Sequence, residues 1–167
     1  RKGADLFIEV ARILNNKGLE DFHLYWIGEF DYTANDIEYG GWDSHIEAMH
    51  KEGLDKHITF LGLKENPRDN FQSGDVFILP SREDPFPLVT LEAAECGLPI
   101  VCFKDAGGMP DFVENDAGFV VPYGDVKAMA DKILLLKKNE ATRYNLGRQA
   151  RDKLYSRFTF DKTTPGI

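Results

Sequence analysis

Val76-Phe-Ile-Leu79-Pro80-Ser-Arg-Glu-Asp84-Pro-Phe-Pro87-Leu88-Val89-Thr90-Leu-Glu92-Ala-Ala-Glu-Cys96-Gly97-Leu-Pro-Ile100-Val-Cys-Phe103 is the stretch on which the fold turns. It opens with four consecutive apolar residues, as a strand covered on both faces does. A loop carrying three prolines follows, then Leu88 to Cys96 reads as a helix closed by Gly97. Ile100–Phe103 is the next short apolar strand.

The same alternation extends outward. Leu6, Phe7, Val10, Ala11 and Leu14 recur at helical spacing and give a first helix ending near Gly18. His23–Ile27 is a β-rich run that stops at Gly28, and residues 29 to 42 are polar and irregular, with a turn at Gly40-Gly41. A polar helix spans Asp43–Glu52, with Asp43 or Ser44 as its N-cap. Ile58–Leu61 is a strand ending at Gly62, and Asn66-Pro67 opens a short helix in the favoured cap-then-proline order. Phe119–Pro122 is the last strand, followed by helices over about 125–138 and 140–155. Short apolar strands alternating with helices predict a Rossmann-like, three-layer α/β/α domain on a parallel sheet, covering 1–167 as one unit. The first helix has no strand before it, so the chain reads as cut from a longer protein whose first strand and N-terminal domain lie outside it.

Composition narrows the function. Of 167 residues 43% are apolar, enough for a proper core, and the net charge of −8 argues against nucleic-acid binding, which needs clustered Lys and Arg. No run approaches the ~18 apolar residues of a membrane span. The two cysteines, Cys96 and Cys102, offer no disulfide framework and suit buried positions in a reducing cytoplasm. His45 and His50, five apart, fall on different helix faces, so no metal site is expected. Trp26 reads as core and Trp42 as core or rim.

In an open parallel sheet, ligands bind beyond the carboxyl ends of the strands. Those ends here are Gly28, Gly62, the 80–88 loop and the 104–110 loop. The first free N–H groups of the helix near Leu88, Val89 and Thr90 aim into that crevice and suit a diphosphate. Thr90 adds a hydroxyl. Glu92, one turn further, suits a ribose diol, and Asp84, fixed between prolines, suits sugar hydroxyls. Lys2 at the head of the first helix can offset diphosphate charge. Taken singly, each has a bland reading: a rigid proline loop, a solvated helix glutamate, a surface lysine. Their joint spacing carries the argument.

Asp84, seven residues, Glu92 and then Ala93-Ala94-Glu95-Cys96-Gly97-Leu98-Pro99-Ile100-Val101 resemble the C-terminal domain of the retaining glycosyltransferases of family 4, the group 1 family with the two-domain GT-B fold. The likeness runs back through Phe60-Leu61-Gly62 to Lys2-Gly3. It runs forward through Gly107-Gly108-Met109-Pro110-Asp111-Phe112-Val113 to Gly118-Phe119-Val120-Val121-Pro122. The resemblance implies that Glu92 holds the ribose hydroxyls, Asp84 contacts the donor sugar, and Lys2 binds the diphosphate. It implies that backbone groups of Pro87, Leu88, Val89 and Thr90 cradle sugar and phosphates, while Gly28, Gly62 and Leu63 border the base. Two departures from the family pattern fall in the Asp84-to-Glu92 stretch: Asp84 is one methylene shorter than the usual glutamate, and Pro87 replaces a glycine and has no N–H to donate. Asp111 replaces a more common glutamate.

What the resemblance implies is transfer from a nucleoside-diphosphate sugar to an acceptor hydroxyl with retention, with Asp84 and Glu92 at the centre. The acceptor, a glycan or lipid-linked molecule, would be held by the missing domain, so the chain alone is expected to be inactive. No Asp-x-Asp triplet occurs, so neither a metal nor a cofactor is expected. Polysaccharide assembly in the cytoplasm, with the parent peripheral at the membrane, is the family's expectation. Two alternatives stand beside it: a non-catalytic nucleotide-binding module, and a nucleotide-sugar epimerase of the same fold. A dehydrogenase fits worse, since no Gly-x-Gly-x-x-Gly follows a strand.

Overall fold

The computed structural model describes residues 1–28 and 42–157. The turn read at Gly40-Gly41 and the side chain of Trp42 lie outside them. Helix α1 (Ala4–Asn16) leads to β1 (Leu24–Trp26), α2 (Trp42–Lys51), a single 3₁₀ turn (Leu54–Lys56) and β2 (Ile58–Phe60). Then follow α3 (Arg68–Gln72), β3 (Phe77–Leu79), α4 (Leu88–Glu95), β4 (Ile100–Phe103), α5 (Met109–Val113) and β5 (Gly118–Val121). Helices α6 (Val126–Lys138) and α7 (Glu140–Arg157) complete the described chain.

Every strand pair is parallel, as the alternation requires. The strands form two pieces, β1–β2 and β3–β4–β5, with no ladder joining them among the described residues. Strand β4 shows why the apolar run reads as it does. Ile100 and Cys102 point into a cluster with Ala94, Phe112 and Val113, while Val101 and Phe103 point into another with Val10, Leu14 and Met129. Alternate residues serve opposite faces, and all four are buried. Each fully buried Val, Leu or Phe of this kind contributes about 1.5–3 kcal/mol.

Helix α1 joins the two pieces. Its Val10 and Leu14 belong to the β4–β5 core, and its Phe7, Ile8 and Ala11 pack with Leu54, Ile58 and, more loosely, Trp26 of the β1–β2 side. Phe7 meets Trp26 edge-on at 5.3 Å between ring centroids. Ile8, absent from the stripe read in the sequence, is buried because α1 is covered on both flanks.

Local differences from the sequence reading have local causes. Helix α2 starts at Trp42, so Asp43 sits inside the first turn and neither it nor Ser44 is the cap; a carboxylate there still complements the helix dipole. Helix α3 starts at Arg68 with Pro67, not Asn66, in the cap position, while Asn66 Oδ1 one residue before it accepts from the Arg68 N–H at 3.2 Å. Helix α5 begins inside the expected 104–110 loop and runs past it; five residues are too few for periodicity, and its Pro110 is tolerated in a first turn. Strand β5 starts one residue earlier than expected and α7 ends two residues later.

Candidate functional site

The chain leaves β3 at Leu79 and runs through Pro80 and Ser81, both buried, along the start of the molecule. Gly3 sits here with φ 78°, and a Cβ on it would lie 2.0 Å from the Pro80 carbonyl oxygen, so only glycine permits the approach. Beside it the Arg82 N–H donates to the Arg1 carbonyl at 2.9 Å. The Arg82 guanidinium donates both to Asp5 Oδ1 at 2.8 Å and to Asp5 Oδ2 at 2.5 Å. Burial alone would raise the Asp5 pKa, but the hydrogen bond and charge of Arg82, with the Leu6 N–H, hold it below its ordinary value.

These ties bring Lys2 onto Asp84. The Lys2 ammonium donates to Asp84 Oδ2 at 2.5 Å, with the lysine side chain 50% exposed and the aspartate 8%. Asp84 is held from behind. Its N–H donates to the Ala106 carbonyl at 2.8 Å, and the Gly108 N–H donates to the Pro85 carbonyl at 2.8 Å. A Cβ on Gly107, whose φ is 137°, would stand 1.7 Å from the Asp84 carbonyl oxygen. The Gly107-Gly108 pair is therefore a backbone brace for the acidic loop.

Pro87 caps α4, fixing φ at −72° for the turn into the helix. Leu88 is exposed, Val89 half-buried and Thr90 buried, following the 100° step of a helix. The Thr90 N–H donates to the Pro87 carbonyl at 3.0 Å, and its enclosed hydroxyl has no partner among the described residues. The structure therefore turns Thr90 inward instead of offering its hydroxyl to the crevice; Leu88 and Val89 keep the first N–H groups of the helix. Glu92, one turn on, is exposed, and its carboxylate makes no hydrogen bond or ion pair among the described residues.

On the other sheet, the Gly28 N–H donates to the Gly62 carbonyl at 2.9 Å, closing the carboxyl ends of β1 and β2 on each other. Leu63 projects exposed beyond them. A cavity of about 1470 Å³ lies between β1 and β3 and reaches Lys2, Gly28, Asp84 and Val89. Lys2 and Asp84 thus meet directly and share that cavity with Gly28 and Val89, whereas Gly62, Leu63, Leu88, Thr90 and Glu92 do not line it. Arg82 and Asp5 were missed in the sequence, where they stand 77 residues apart with no local signal.

Elsewhere, Cys102 is buried, which pushes its thiol up to about 12, and burial also raises that of the half-buried Cys96. His50 pairs with Asp55. Among the described residues no group of three or more His, Cys, Asp or Glu is placed to hold a metal ion, and no helix is long and apolar enough to cross a membrane.

The sequence model of the family described as glycosyl transferases group 1 matches residues 1–153. The chain belongs to that family. A relative, the amylovoran biosynthesis glycosyltransferase AmsK of Erwinia amylovora, is 30% identical, the match covering 95% of this chain and 38% of the relative. The C-terminal domain of the group 1 protein LpcC from Francisella tularensis superposes with a TM-score of 0.78 at 25% identity, over 95% of this chain and 80% of that one. HepE of Anabaena, solved in complex with UDP, superposes at 0.80 with 22% identity, over 94% of this chain and 41% of that one, and shows the shared fold. The chain spans about two fifths or less of the length of such curated relatives. The spacing from Asp84 to Glu92 thus falls on a braced loop and the helix it feeds.

Proposed function

We propose that this chain binds the nucleoside-diphosphate sugar of a retaining glycosyltransferase and, joined to an acceptor-binding domain, transfers the sugar to a hydroxyl of a glycan or lipid-linked acceptor. The observation that carries this is the Lys2 ammonium standing over the buried Asp84 carboxylate at the carboxyl edge of the sheet, beside the start of α4. A cation and a helix N-terminus together form a place for diphosphate charge, including the charge that develops on a nucleoside-diphosphate leaving group. Asp84 Oδ1 remains to accept from a sugar hydroxyl, and the exposed Glu92 carboxylate to accept from ribose hydroxyls. Retention, the roles of Leu88, Val89 and Thr90 at the phosphates, and those of Gly28, Gly62 and Leu63 at the base belong to the same proposal. Thr90 enters it through its position in the first turn rather than its hydroxyl.

The likeness to HepE, solved with UDP, supports the nucleoside diphosphate, and AmsK supports polysaccharide assembly. We place the work in the cytoplasm, with the complete protein peripheral at the membrane, and no metal or cofactor takes part in the proposal. The test is a ligand-observed NMR screen of the chain against UDP, GDP, ADP and NAD, repeated on Glu92→Ala. One diphosphate should bind selectively, and Glu92→Ala should weaken it by about 1.5–3 kcal/mol, the scale of a hydrogen bond to a charged group. That is roughly ten- to a hundredfold in affinity. Selective binding of NAD would sink the proposal, and an unchanged affinity in the variant would remove Glu92 from the ribose.

A further inference from the structure

Lys2 stands on a short stretch at the head of α1, and its side chain is half exposed. Nothing in its own sequence neighbourhood holds an ammonium over a particular carboxylate. What holds the stretch is a set of ties to the segment that carries Asp84: the Arg1 carbonyl on the Arg82 N–H, Gly3 against the Pro80 carbonyl, and the Asp5 carboxylate on the Arg82 guanidinium. Lys2 lies between the first and second of these, and Asp84 lies two residues beyond Arg82. We propose that the Arg82–Asp5 ion pair is the positioning device of the diphosphate site, locking the Lys2 segment to the 80–84 loop so that Lys2 reaches Asp84 and a bound diphosphate together. This rests on the nucleoside-diphosphate reading above and adds two residues to it that touch no ligand.

Geometry favours the pair for this work. Both oxygens of Asp5 are engaged by Arg82, a forked contact that fixes orientation as well as distance. With side chains only 18% and 19% exposed, the pair is shielded from the screening that makes surface ion pairs weak. A lysine in place of Arg82 would supply charge without the fork. Asp5 lies in the first turn of α1, so the pair ties the helix as a rigid body to the loop. The Lys2 ammonium has three donors and spends one on Asp84 Oδ2; with its stem held, the others can face a diphosphate.

The experiment titrates UDP and uridine separately into the full chain and into Arg82→Gln, Arg82→Lys, Asp5→Asn and the Arg82→Gln/Asp5→Asn double variant, with folding checked by amide NMR. A positioning pair acts on the phosphates alone. UDP affinity should fall roughly three- to tenfold in each single Gln or Asn variant and no further in the double, as members of one network do. Uridine affinity should stay at the parent value, and Arg82→Lys should fall between. An unchanged UDP affinity in folded Arg82→Gln overturns the proposal, as does an equal loss of UDP and uridine. Should Arg82→Gln fail to fold, Asp5→Asn, of nearly the same size, decides alone by the same two readings. Should the screen above select GDP or ADP, that diphosphate and its nucleoside replace UDP and uridine; if the unaltered chain binds none of the three diphosphates, the nucleoside-diphosphate reading itself fails and takes this one with it.

Discussion

Of the lysines that end on carboxylates in this domain, Lys153 and Lys2 show the burial of the pair inverted. At the amino edge of β5, the Lys153 side chain is 4% exposed while its partners Glu114 and Asp116 are 44% and 49% exposed. At the carboxyl edge, the Asp84 side chain is 8% exposed and Lys2 50%. Lys153 also donates to the Phe112 carbonyl at 2.9 Å, so its ammonium closes the end of α5 against α7 and has nothing left for a ligand. Lys2 gives one bond to Asp84 and keeps the rest of its ammonium toward solvent. A buried cation with several acceptors works as a bolt, whereas an exposed cation over a buried acid can exchange partners. Charge alone does not separate these cases; which member is buried does.

The largest test of this contrast is Lys153→Met, which keeps the apolar stem but leaves the Phe112 carbonyl without its donor. It should cost about 2–3 kcal/mol in urea denaturation, the scale of an unsatisfied buried polar group, and leave UDP affinity unchanged. Equal stability would mean the cluster is surface decoration. Lys2→Met comes next and should move the other observable. UDP affinity should fall roughly tenfold, while stability should shift by less than in Lys153→Met, because an ion pair with one half-exposed member is screened. A stability loss as large as that of Lys153→Met would make Lys2 a bolt too.

The smallest effect is a pH dependence. The folded pKa of Asp5 is held below its ordinary 3.8 chiefly by Arg82 against the opposing pull of burial, so its contribution is fully present above pH 3.8 and is lost as pH falls below that through the folded value. Glu114, lowered from 4.5 by the hydrogen bond and charge of Lys153, adds a loss of the same sign as acid is added. Denaturation midpoints of the parent should therefore drop on acidification below about pH 4, and Arg82→Gln should show a shallower drop there. Parallel curves would mean the Asp5 carboxylate gains nothing from Arg82.

Much of this was legible in the chain. The continuous run Val76–Leu79, the four-residue Ile100–Phe103 and the helix between them gave the parallel sheet, because burial on both faces leaves no polar alternation to confuse the reading. That Asp84 stands in a loop feeding the helix that carries Glu92 is legible because loop and helix start are neighbours in sequence. Helix α5 and the turn at Leu54–Lys56 are not, being too short to show a period. The facing of Thr90 is not legible, because it depends on how α4 rolls against the core, where Ala93 and Ala94 are buried beside it.

By itself the sequence determined the order of strands and helices, the placement of the acidic loop before α4 and the family pattern. All of these rest on residues within about a helix turn or a strand of one another, where periodicity and turn chemistry act. Only the tertiary structure decided that Lys2 meets Asp84 from 82 residues away, that Arg82 forks onto Asp5, and that Lys153 is the buried partner in its cluster. Those choices follow from which side chains the packing of α1, β3 and α7 leaves without water, and desolvation is a property of the assembled core that no single stretch of chain carries.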